Sequence, residues 1–131
     1  AGLMVFLFIW QVPHFWLLLL LHPDDYPRAG WPDLADRLGR RGLARVSFSW
    51  IAATAAAGLA LPLLGLYRLA FAWPLLGLAA WLVIGAAPIL REAVPAGPAL
   101  RRAFRQINLF ALAALTLVVV DAGILPLVRN F

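Results

Sequence analysis

Four apolar runs, each close to the length of a bilayer crossing, limit what this chain can fold into more than any other feature. A spanning helix needs about 20 consecutive apolar residues. The runs cover about 3–21, 46–66, 69–90 and 107–125. Lipid offers no partners for backbone N–H and C=O groups, so each run is expected to be a helix that satisfies its own backbone. Across the 131 residues, 64% are hydrophobic and 13% charged. Soluble domains run at about 45–50% apolar and about 25% charged. The expected fold class is therefore an all-α membrane protein with four transmembrane helices in a single domain.

The polar residues inside those runs are few and placed unevenly. The first run carries Gln11, Pro13 and His14, then stops at His22, Pro23, Asp24, Asp25 and Tyr26. Polar side chains in a span are costly in lipid and usually face a protein interior or a cavity. Adjacent carboxylates just beyond a helix end are hard oxygen ligands suited to Mg2+. Their ordinary alternative is a solvated acidic pair at a helix end. Gln11 and His14 equally suit interhelical hydrogen bonding. The fourth run holds Asn108, Thr116 and Asp121, and a structural or interfacial role is expected for Asp121, near water at the far end of its span. Ala52-Ala53, 55–58 and 77–80 are small-residue stretches that allow close helix approach.

All of the positive charge is arginine, and the net charge is +5. Arg28, Arg37, Arg40, Arg41 and Arg45 lie between the first two runs. Arg91, Arg101, Arg102 and Arg105 lie between the last two. Only Arg68 and Arg129 belong to the opposite side. By the positive-inside rule the segments 22–45 and 91–106 are expected in the cytoplasm, on a multi-pass protein of the inner (plasma) membrane. The basic balance is thus assigned to topology and a lipid bilayer, with no nucleic acid as partner. Within 22–45, Leu34, Leu38 and Leu43 recur among charged residues, which predicts a short interfacial amphipathic helix over about 33–43. With no cysteine, disulfides and thiolate metal sites are excluded.

The sequence FIWQVPHFW at 8–16, followed by DDYPRAGWP at 24–32, resembles the signature of the protohaem IX farnesyltransferases, a family of the UbiA superfamily of intramembrane prenyltransferases. That family reads F-x-W-Q-x-P-H-F and then D-Y-x-x-A-G-I-P. Arg101-Arg102-Ala103-Phe104-Arg105, Leu109-Phe110 and Val119-Val120-Asp121 resemble its last span, so the similarity runs over nearly the whole chain. The chain departs from the pattern at His22, Pro23 and Trp31-Pro32-Asp33-Leu34.

The resemblance implies a nine-helix bundle of which these four spans are the C-terminal portion. On that expectation the preceding helices of the same enzyme are missing, along with their N-D-x-x-D motif, and the fragment alone is inactive. It implies transfer of a farnesyl group from farnesyl diphosphate to haem B, giving haem O. Asp25 and Asp24 would be the catalytic, Mg2+-binding carboxylates. Arg28 and Tyr26 would meet the diphosphate end of the substrate, and Trp10, Gln11 and His14 would line an apolar chamber. Two alternatives stand beside it. One is a UbiA-type enzyme acting on a quinone precursor or another aromatic acceptor, for which Asp33 and Asp36 have suitable spacing. The other is a non-enzymatic helical anchor or assembly module.

Overall fold

A computed structural model of the chain describes residues 1–23, 34–66, 68–91 and 97–129, the side chains of 34–36 and 124–129 excepted. The helix α1 spans Gly2–Leu21, α2 Leu34–Leu63, α3 Ala72–Ala86 and α4 Gly97–Arg129. Short 3-10 turns at Leu69–Phe71 and Ala87–Leu90 bracket α3. No strand occurs among the described residues. Among the described residues four helical stretches are long and apolar enough to cross a membrane: Gly2–Leu21, Arg37–Leu63, Leu69–Leu90 and Gly97–Gly123. The all-α membrane fold expected from the apolar runs is what the chain adopts.

Each helix packs on its neighbours in sequence, and α4 closes back onto α1, giving an up-and-down four-helix bundle. The ends sort accordingly. Arg40 donates from a guanidinium nitrogen to the Leu20 carbonyl at 3.3 Å, tying the start of α2 to the end of α1. A cation there complements the negative end of the α1 dipole. At the opposite end Gly2 lies against Leu64 and Leu66 beyond α2.

The interior is filled by leucine, isoleucine, alanine and phenylalanine, including Leu17, Ile51, Leu82 and Phe110. Gly58 makes room for the largest of these. A Cβ at that position would stand 2.6 Å from the Phe110 ring, which lies 6.3 Å from the ring of Phe6. The outer surface is also apolar: Met4, Phe8, Trp73, Ile84 and Val119 are exposed. That is the pattern of a bundle solvated by lipid.

Proline positions explain the helix boundaries. Pro62 falls in the last turn of α2, Pro74 in the first turn of α3, and Pro88 in the 3-10 turn that follows it. At the start of a helix the missing N–H of proline costs nothing. Pro13 lies in the middle of α1 and is buried.

Two segments differ from the sequence expectation. The separate interfacial helix over about 33–43 is instead the first part of α2, broken at Gly39, whose backbone is non-helical at φ 66°. Glycine adopts that left-handed region without a Cβ penalty. Past the break, Leu43, Ala44, Ser47 and Ile51 form one buried face at helical spacing, so Leu43 belongs to the spanning helix. Likewise α4 begins at Gly97, well before 107. Residues 97–106 of the expected cytoplasmic connection are therefore helix.

Candidate functional site in the seam between two helices

Trp10 and His14 stand one turn apart on α1, and Phe104 and Asn108 one turn apart on α4. Residues at i and i+4 share a helix face, and these two faces meet. The His14 ring lies 5.0 Å from Trp10 and 4.9 Å from Phe104, centroid to centroid, and Phe15 presents its edge at 5.8 Å. Nδ1 of His14 is 2.8 Å from Oδ1 of Asn108. An amide oxygen only accepts, so Nδ1 carries the proton and donates. The remaining nitrogen, Nε2, then keeps its lone pair. It makes no hydrogen bond with any described residue.

Trp10 adds a second unmet group. Its indole Nε1 is buried and has no partner. A buried donor left unpaired costs about 1–3 kcal/mol. At a ligand site, that cost is relieved when a substrate oxygen arrives. The seam therefore presents one donor and one acceptor among aromatic faces, and such faces attract positive charge.

Gln11 lies elsewhere. It is exposed, in a shallow hollow of about 270 Å³ with Phe8, Val12, Phe15 and Trp16. On a helix Trp10 and His14 nearly eclipse, while Gln11 points about 60–100° away from both. Asp24, Asp25, Tyr26 and Arg28 lie outside the described residues. Among the described residues no group of three or more His, Asp or Glu is placed to hold a metal.

Three polar residues of α4 act in ways their isolated positions do not reveal. Asn108 holds His14. Gln106 is buried, donates from Nε2 to the Trp81 carbonyl at 3.3 Å, and occupies the notch left by Gly85 on α3. Asp121 is 3% exposed, against the expectation that it reaches water. Its carboxylate accepts from the Arg68 backbone N–H at 3.3 Å and pairs with Arg68 Nε at 3.3 Å. A buried carboxylate needs such partners, and Arg68 at the head of α3 supplies both. Asp121 is thus structural, though not as a solvated interfacial residue.

Around the N-terminal turns of α4 an open groove of about 940 Å³ is lined by Pro88, Pro98, Ala99, Arg101, Arg102, Phe104 and Arg105. Their charge pattern in the sequence points to topology alone. The one available signal was their i, i+1, i+4 spacing.

Comparison with known proteins agrees with the motif resemblance. Over 119 residues the chain is 37% identical to "Protoheme IX farnesyltransferase 2" of Mesorhizobium japonicum, covering 86% of this chain and 37% of that protein. Over 134 aligned residues it is 34% identical to "Protoheme IX farnesyltransferase" of Rhodopseudomonas palustris, covering 96% of this chain and 42% of that one. A 59-residue stretch is 49% identical to the protein of that name from Geobacter sulfurreducens, covering 45% of this chain and 22% of that protein. The chain thus spans well under half the length of the curated relatives it matches. No family model matches the chain, and no solved structure matches it.

Proposed function

We propose that the chain is part of an intramembrane prenyltransferase of the protohaem IX farnesyltransferase kind, moving a farnesyl group from farnesyl diphosphate to haem B. The observation that carries this reading is the similarity to proteins of that name across nearly the whole chain. The seam between α1 and α4 supports it, because its chemistry suits the reaction.

The transfer breaks the bond between the farnesyl C1 and the diphosphate oxygen, and joins C1 to the outer carbon of a haem vinyl group. Water then adds to the inner vinyl carbon and releases a proton. Allylic positive charge develops during this sequence, and the faces of Trp10 and Phe104 are suited to stabilise it in a dry setting. His14 Nε2, which makes no hydrogen bond with any described residue, is suited to take the proton from the adding water. The Trp10 indole N–H, buried without a partner among the described residues, would donate to a substrate oxygen.

On the resemblance, Asp25 and Asp24 would hold Mg2+, which would supply charge neutralisation to the departing diphosphate, and Arg28 and Tyr26 would be further contacts to the diphosphate end. The nine-arginine side is cytoplasmic on this reading, and the remaining helices of the bundle precede α1.

The test uses the complete protein in cells lacking their own haem O synthesis, with extracted haems separated by chromatography. Appearance of haem O supports the proposal. An unchanged haem B peak with farnesyl diphosphate in supply refutes it.

A further inference from the structure

We propose that the arginine-lined groove at the start of α4 is a carboxylate anchor, seating the paired acid groups of the planar acceptor while its apolar plane faces Phe104 and His14. This inference rests on the acceptor reading above and adds a binding site to it.

The groove is built by one helix face. Pro98, Arg101, Arg102 and Arg105 fall at i, i+3, i+4 and i+7, so they form a continuous stripe. The three arginines are exposed, which leaves their guanidinium forks open to a ligand. A guanidinium meets a carboxylate through two parallel N–H···O bonds, a geometry that an ammonium cannot offer. The volume of about 940 Å³ falls within the roughly 300–1,000 Å³ of small-molecule sites.

Position distinguishes the groove from a basic patch that only touches lipid phosphates. Phe104 lines the groove and also stacks against the His14 ring at 4.9 Å. The groove and the seam therefore share a wall. Pro88, Pro98, Ala99 and Phe104 give it an apolar floor beside the charges. A ligand with acid groups at one edge and an apolar plane behind them matches that layout. A haem carries two propionates on one edge and vinyl groups away from them, so anchoring the acids directs a vinyl group towards His14.

The test measures binding of haem and of its dimethyl ester to the complete protein, in nanodiscs of phosphatidylcholine and against empty discs. The free diacid is expected to bind about tenfold more tightly than the diester, since each of two exposed ion pairs contributes up to about fivefold. Arg101→Gln/Arg102→Gln/Arg105→Gln is expected to erase that preference, with circular dichroism unchanged. Equal affinity of diacid and diester for the unaltered chain overturns the anchor and leaves the acceptor reading standing. Absence of binding by either form overturns both. A triple variant that loses affinity only for discs containing phosphatidylglycerol, with haem binding intact, makes the stripe a lipid-headgroup site and also overturns the proposal.

Discussion

His14 on α1 and Asn108 on α4 join across the helix seam through a 2.8 Å contact between Nδ1 and Oδ1. That bond decides which ring nitrogen remains for chemistry. Replacing Asn108 by leucine removes the acceptor and puts an apolar side chain of similar size in its place. The ring is then expected to populate both tautomers, and 15N NMR of the two histidines, with His22→Gln used for assignment, reads this directly. The unaltered chain should show His14 with the proton on Nδ1 alone. An Nε2-protonated ring in the unaltered chain contradicts the assignment. The stability cost should be about 0.5–2 kcal/mol, as for other interhelical hydrogen bonds in membranes.

Trp10→Phe separates a ligand contact from packing. The indole N–H is buried without a partner, so losing it relieves an unmet donor. Thermal stability in micelles should stay within about 1 kcal/mol of the parent. In the complete enzyme KM should rise by about tenfold, the worth of one substrate hydrogen bond, with kcat less affected. A large loss of stability with unchanged KM contradicts a role in substrate contact.

Gly85→Ala tests the lock between α3 and α4. A Cβ at this position would penetrate the Gln106 carboxamide, which is itself buried and fixed on the Trp81 carbonyl. Overpacking of this kind costs about 1–3 kcal/mol. Adding Gln106→Ala should restore part of that loss, because the notch and its occupant are altered together. Unfolding of the two single variants and the double variant measures the coupling, and strict additivity contradicts the lock.

At the other end of the bundle, Asp121→Ala should destabilise more than Arg68→Gln. Removing the carboxylate loses two contacts at once, whereas Arg68→Gln keeps the backbone N–H that donates to it. A hydrogen bond to a charged group contributes about 1.5–3 kcal/mol. The Arg68 side chain is 44% exposed, so its share of the pairing is solvent-screened and small. Chemical unfolding of both variants ranks them, and the reverse order contradicts this account.

Much of the fold was legible in the sequence because a span announces itself by length and apolarity alone. Trp10, Gln11 and His14 were expected along one chamber only through the family resemblance; the structure brings Trp10 and His14 together and leaves Gln11 exposed. Their partner was not. Asn108 sits in a separate run, and nothing local pairs α4 with α1. Gly39 was equally opaque, since a glycine within a charged leucine pattern suits a loop, a cap or a break. Gln106 and Gly85 make sense only together, across an interface that sequence periodicity does not align. Asp121 was read as near water because its distance along the helix was visible and the arginine folding over it was not.

Photo-crosslinking tests the central claim most directly: that the prenyl group reacts in the seam lined by Trp10, His14 and Phe104. A farnesyl diphosphate analogue with a photoreactive group near the diphosphate end is bound to the complete enzyme, irradiated, and the label located by mass spectrometry. The account predicts label on the stretches 10–16 and 104–108, suppressed by excess farnesyl diphosphate. Competable label found only on α3, or on the outer face that carries Met4 and Phe8, would contradict it.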